Sequence, residues 1–178
     1  MIYHLDMRIL GIDPGYGRVG YGIVEKAIGK GLPAGRQDWR ALDWGCIETP
    51  AGGEFVDRIA ELHTQLISLI KKYQPTRMAV EDLFFFKNVK TAIKVGQARG
   101  VILLTAVENE IPVDEFTPLQ VKQAITGFGR AEKSQMQKMV AMILKIPGKI
   151  KSDDAADALA VALCAGQSLW KKKLSKQN

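Results

Sequence analysis

Histidine and cysteine are scarce in this sequence, and their scarcity removes several familiar catalytic chemistries. Among 178 residues, only His4 and His63 are histidines and only Cys46 and Cys164 are cysteines. The two cysteines lie far apart and in no CxxC or Cys/His spacing, so no zinc site is expected and both read as free, reduced thiols. There is no Ser/His/Asp arrangement for nucleophilic catalysis and no Walker-type loop to cradle phosphates. His63 reads as a residue of a helix face rather than of a site. No run of about 18 apolar residues offers a membrane span, and the opening MIYHLDM lacks the basic head and apolar stretch of a secretory signal. These absences lead to the expectation of a cytoplasmic protein with no membrane partner.

What is present suits one well-packed core. The length predicts a single domain over residues 1–178, with a core at about 7–168 and flexible ends at 1–6 and 169–178. Lys and Arg total 25 against 19 Asp and Glu, a net charge of +6 that suits a polyanionic partner without demanding one. Short apolar runs at Arg8 to Asp13 and Val19 to Glu25, separated by Pro14-Gly15-Tyr16-Gly17, predict a hairpin. A glycine-rich basic loop, GKGLPAGRQD, precedes a further strand over Ala41 to Thr49. Phe55, Ile59, Leu62, Leu66, Leu69 and Tyr73 then recur at helical spacing up to Pro75. Beyond it the pattern predicts strands at Arg77 to Glu81 and Val113 to Phe116. Helices are predicted at Val89 to Asn109, Gln120 to Ile125 and Lys133 to Leu144, and a last one begins near Ser152. Strands first in a meander and then alternating with helices imply an α/β class with a mixed sheet flanked by helices.

The chemistry lies in the carboxylates. Asp13 follows the strand Ile9-Leu10-Gly11-Ile12 at a sharp turn, an accessible yet rigid position, although Asp-Pro-Gly is also common turn chemistry. Glu81 ends the strand Met78-Ala79-Val80, with Asp82 behind it on the opposite face. In the last helix Asp154 and Asp157, at i and i+3, share a face. Asp153 also shares one with Asp157 at i+4, and its part in the site is left open. Acids in a first turn behind a Ser152 N-cap favour the helix dipole, which accounts for one or two of them. It does not account for Ala155, Ala156, Ala158 and Ala160, which make a helix start slim enough to lie against a sheet. Converging carboxylates repel one another unless hard divalent cations neutralise them, and Mg²⁺ prefers oxygen ligands. Two ions about 3.5 to 4 Å apart would serve phosphodiester hydrolysis without a nucleophilic side chain.

The segments ILGIDPG (9 to 15), GYGIVE (20 to 25), VEDLFFFKN (80 to 88), GQARGV (96 to 101), VKQAITGFGRAEKSQMQKMV (121 to 140) and DAADALAVA (154 to 162) resemble, in order, the RuvC family of Holliday junction resolvases. The resemblance implies a ribonuclease H-like fold with a mixed five-stranded sheet. It implies a homodimer that cuts four-way junction DNA by symmetric paired nicks in recombination and repair, with the RuvA and RuvB branch-migration complex as partner. The implied cofactor is Mg²⁺, two ions per site, with Mn²⁺ able to substitute. The family's catalytic and metal-binding acids fall on Asp13, Glu81, Asp154 and Asp157. Asp82, the leading hexapeptide and the basic insertion depart from the family pattern without removing a catalytic acid.

For DNA contacts, Lys87, Lys122, Arg130 and Lys133 are candidate phosphate-binding cations. Lys122 and Lys133 coincide with lysines that the family places near its active site. Lys90 and Lys94 read at least equally well as a solvated face. Of the three consecutive aromatics Phe84, Phe85 and Phe86, at least one is expected to be exposed, and Phe84 aligns with an aromatic assigned in the family to stacking on unpaired bases. Gly96 and Gly100 allow close approach of either the chain's own sheet or a partner helix, and the resemblance favours a dimer contact. Three rivals stand beside this reading: another ribonuclease H-like nuclease with an RNA substrate, an ATPase, for which the chain is too short, and a catalytically silent DNA-binding scaffold.

Overall fold

A computed structural model of the chain describes residues 7–26, 38–50, 52–82 and 89–174, with side chains omitted at 89, 90 and 170–174. Five strands, β1 (Arg8–Asp13), β2 (Arg18–Lys26), β3 (Trp39–Glu48), β4 (Arg77–Glu81) and β5 (Val113–Phe116), form one sheet in the order β3-β2-β1-β4-β5. β1, β2 and β3 are antiparallel, whereas β4 joins β1, and β5 joins β4, in parallel. The short DPGYG turn makes the first pairing, and the parallel ones need crossovers, which the helices α1 (Phe55–Tyr73) and α2 (Val89–Glu108) supply. Helices α3 (Pro118–Thr126), α4 (Lys133–Ile143) and α5 (Asp153–Leu174) follow β5.

The two-residue period of a strand divides the core into two layers. Leu10, Ile12, Ile23, Met78 and Val80 point to one face, where Leu62, Leu66 and Ile70 of α1 and Ala98, Ile102 and Ala106 of α2 cover them. Ile9, Val24 and Ala79 point to the other, beneath α5, with Val121, Ile125, Met136 and Val140 of α3 and α4 outside it. α5 packs against all five strands. It lies close because its inward residues are small: Ala155, Ala156, Ala158 and Ala160 are 0 to 2% exposed. Glycines on the strands complete the fit, since a Cβ at Gly11 would overlap the Ala158 carbonyl oxygen and one at Gly20 the Asp154 carbonyl oxygen. The slim helix was foreseeable; the matching glycines across from it were not.

The predicted elements are all present, with ends moved by a residue or two. The last helix, α5, is helical as far as Leu174. Its buried alanine-rich start provides the nucleus, and adding further turns to an existing helix costs little. The basic insertion, apart from its end residues, falls outside the described residues, as do Phe84, Phe85, Phe86 and Lys87. Among the described residues no helix is long and apolar enough to cross a membrane.

Candidate active site

Strand periodicity places the first two acids. Ile9, Gly11 and Asp13 face α5, as do Ala79 and Glu81, and the parallel register pairs Ile12 with Val80, so Asp13 and Glu81 leave the sheet side by side. Asp82, on the opposite face, turns instead to Arg99 of α2 at 3.4 Å. The first turn of α5 is set above Asp13 by Ser152, whose Oγ accepts the Ala155 N–H at 3.3 Å, as an N-cap should.

The resulting group of acids is under strong mutual influence. Asp13 and Glu81 share a side-chain hydrogen bond, and burial, followed by the charges of Glu81, Asp157 and Asp154, pushes the Asp13 carboxyl up to about 8. Burial and then the Asp157 charge raise Glu81, against the opposing pull of Lys122 and Lys133. Burial also raises Asp157, although Lys133 pulls it the other way. Burial and mutual repulsion thus favour a proton held between Asp13 and Glu81 in the metal-free fold.

The remaining acids are held by internal partners. Lys133 Nζ bridges Asp157 at 3.2 Å and Asp153 at 3.4 Å, and Gln137 donates to Asp153 at 2.6 Å. Arg18 approaches Asp154 at 3.6 Å, and Cys46 Sγ lies 3.9 Å from the same carboxylate and 3.0 Å from Ser152 Oγ. Among the described residues no three side chains form a ready-made metal cage. The four acids are gathered around Asp13, and a proton and two cationic side chains occupy them. Asp153 is exposed and committed to Gln137 and Lys133, on the outer side of the group.

Beside the acids lies a cavity of about 180 Å³ lined by Glu81, Pro118, Val121, Lys122, Lys133, Met136 and Asp157. Lys122 and Lys133 thus stand where a phosphate meeting Glu81 and Asp157 would lie. Arg130 is exposed on the loop between α3 and α4, outside that lining. Lys94 does not belong to a solvated face: it is half-buried, its Nζ 3.0 Å from the Tyr16 hydroxyl and 4.7 Å from that ring's centre. His63 bonds Thr105 at 2.8 Å on the helical layer, away from the acids. Neither Cys46 nor Cys164 forms a disulfide.

Sequence reasoning missed the supports. The buried Arg58 guanidinium donates to the Tyr16 carbonyl at 3.2 Å and to Thr49 Oγ1 at 2.9 Å, and lies 4.6 Å over the Tyr16 ring. It therefore ties α1 to the turn that follows Asp13. Arg18 and Cys46 reach Asp154 from strands far away in sequence. For Arg58 the only available signal was a cation among the inward positions of an amphipathic helix.

A profile of the family described as Crossover junction endodeoxyribonuclease RuvC matches residues 9–165. The chain belongs to the RuvC family. A Halothermothrix orenii protein of that description is 52% identical over 162 residues, covering 91% of this chain and 93% of that protein. A Thermus thermophilus RuvC structure superposes with a TM-score of 0.83 at 33% identity, covering 93% of this chain and 97% of the other. T. thermophilus RuvC in complex with a Holliday junction substrate superposes at 0.79 and 31% identity, covering 90% and 93%. Both the family and the ribonuclease H-like fold expected from the sequence motifs are borne out.

Proposed function

We propose that this RuvC-family chain resolves four-way DNA junctions by symmetric paired hydrolysis of phosphodiester bonds. Asp13 and Glu81 meet at adjacent strand ends beneath Asp154 and Asp157, and this observation carries the reading. The same-family T. thermophilus structure with a Holliday junction supports the substrate. The setting is homologous recombination and repair in the cytoplasm, with the RuvA and RuvB complex as partner, as the family resemblance implies.

The donor set fits a hard divalent cation: it offers carboxylate oxygens, and burial and neighbouring carboxylates raise Asp13, Glu81 and Asp157 despite the lysines beside them. Mg²⁺ is the cofactor proposed, two ions per site, with Mn²⁺ able to substitute, and Asp13, Glu81, Asp154 and Asp157 would hold them. When bound, such ions supply a water nucleophile at neutral pH and stabilise charge on the leaving oxygen. The chain's own residues do the rest. Asp13 would release its proton to solvent as a cation took its place, and Lys133, beside Asp157 in the cavity, would offer its ammonium to a substrate phosphate. Lys122 draws the phosphate toward Glu81, and Arg58 holds the Asp13 turn in place. Lys87 and Phe84 remain proposed DNA contacts, as does Arg130.

A homodimer is proposed through α2. Ile93, Leu104 and Val107 are 59, 54 and 68% exposed, and nothing lies near the Cβ positions of Gly96 and Gly100. Residues 93, 97, 100, 104 and 107 follow the 4-3 spacing of a helix-pairing seam. Of the two readings of those glycines, the side facing a partner helix is the one left open.

A labelled synthetic four-way junction, incubated with and without Mg²⁺ beside a linear duplex, tests the proposal. Paired metal-dependent nicks near the crossover, abolished in Asp13→Asn, are expected. Junction binding without cleavage across metals and sequences would support the silent-scaffold alternative; absence of any junction preference would point to a different nucleic acid.

A further inference from the structure

The loop joining α3 to α4 displays an aromatic side chain that the fold does not use. Phe128 is 72% exposed, whereas Ala131, three residues later, is buried and anchors the loop. An exposed phenyl on a floppy segment would signify little, but this one stands on a fixed base. Gly127, at φ +77°, closes α3 in the left-handed conformation, with its N–H on the Gln123 carbonyl. Thr126 Oγ1 accepts the Phe128 N–H at 3.2 Å, and its single proton is shared between the Phe128 carbonyl at 3.0 Å and the Lys122 carbonyl at 2.9 Å. A Cβ at Gly129 would overlap the Leu119 side chain, so the loop also rests on α3. The backbone is held on both sides and the ring is left in water.

The surroundings indicate the ligand. Both helices that the loop connects line the cavity beside Glu81 and Asp157, through Lys122 on α3 and Lys133 at the start of α4. Arg130 is exposed two residues beyond Phe128. Three cations on this loop and the two helices it joins, with a solvated aromatic on the same loop, make a poor protein-docking patch, which would be apolar at its centre. They match a nucleic acid strand, with cations on its phosphates and the ring against a base face.

We propose that Phe128 stacks on an unpaired or unstacked base of the junction next to the strand held in the cavity, and so helps to set which junction geometry is engaged. This rests on the junction reading above. The ring adds no chemistry to the cut; it fixes the strand's position relative to the acids.

The test is photo-cross-linking with four-way junctions that carry a single 5-iodouracil stepped through the positions around the crossover. Full-length protein is used in metal-free buffer, with Phe128→Leu and Phe128→Tyr beside the wild type. Because the ring is exposed, both variants should fold. The expected result is a cross-link mapped to residue 128 at one crossover-proximal position, present in wild type and Phe128→Tyr and lost in Phe128→Leu. Junction affinity of Phe128→Leu should fall about tenfold, at the low end of the effect of losing one stacked base. Junction-selective wild-type binding with no cross-link at 128 and unchanged Phe128→Leu affinity would overturn the stacking role alone. A Phe128→Leu defect confined to the monomer–dimer balance in sedimentation would overturn it in favour of a protein contact. Wild-type binding that fails to distinguish junction from linear duplex would overturn the junction reading as well.

Discussion

Strand β1 carries a charged residue at each end, and the two ends solve the problem of a buried carboxylate in opposite ways. At its start Arg8 donates to Glu25 of β2 at 2.7 Å, and Arg40 of β3 grips the other oxygen. Glu25 is only 3% exposed, yet although burial works to raise its carboxyl, the two arginines hold it below the usual range. At its finish, five residues along, Asp13 faces Glu81, Asp157 and Asp154 and is pushed up to about 8. A carboxylate between arginines is complete when the chain folds. A carboxylate among carboxylates is complete only with a proton or a cation from outside, and the second end is the one that the proposed function uses.

The largest expected effect tests the incomplete end. Asp13→Asn should lower junction cleavage by about a thousandfold or more while junction binding, read by gel shift, survives. Retained cleavage would remove the contrast between the two ends.

Gly20→Ala should come next, at about a hundredfold loss of cleavage. Gly20 pairs with Asp13 across the hairpin and lies against the Asp154 backbone, so a methyl there lifts the first turn of α5, and displacements near 1 Å are costly to catalysis. The reading would fail if the variant kept full activity at a normal melting temperature.

At the completed end, Glu25→Gln should destabilise the fold by about 2 kcal/mol, since Arg8 and Arg40 lose their buried anion but are themselves partly exposed to water. Denaturant melts report this, and cleavage per folded molecule should be unchanged.

The smallest effect concerns pH. Asp13 in the metal-free fold binds its proton more tightly than its ordinary value of 3.8 allows, so its contribution to stability is full below about 4 and is lost as pH rises toward 8. Glu25, shifted downward, contributes with the opposite slope: present above its ordinary value of 4.5 and lost as pH falls. Asp13→Asn should therefore melt level with wild type near pH 4 and about 5 °C above it near pH 8, without metal. Equal melting at both values would mean that Asp13 is not under strain.

Much of this was legible in the sequence because strand and helix periods are local. Alternation along ILGID and RMAVE puts Asp13 and Glu81 on one face, and the spacing of Asp154 and Asp157 puts them on another that can meet it. The slim alanine start of α5 was visible for the same reason. The partners of those acids were not, since Cys46 to Ser152 and Arg18 to Asp154 are contacts between distant segments that no local pattern encodes. Lys94 misled because a lysine on a helix resembles every other solvated lysine until Tyr16 is placed against its ammonium. Glu25 drew no attention for the reverse reason: a glutamate near a strand end looks exposed until two arginines from neighbouring strands close over it.

The position of α5 in the order of synthesis has its own consequence. This helix carries two of the four acids and is the element against which all five strands pack, yet it leaves the ribosome after every one of them. A nascent chain can present Asp13 and Glu81 on a partly paired sheet, but it has neither Asp154 nor Asp157 nor the layer that covers Ile9 and Ala79. On the proposed mechanism, a nascent chain that ends before Asp154 would lack two of the proposed metal-holding acids and would not nick DNA.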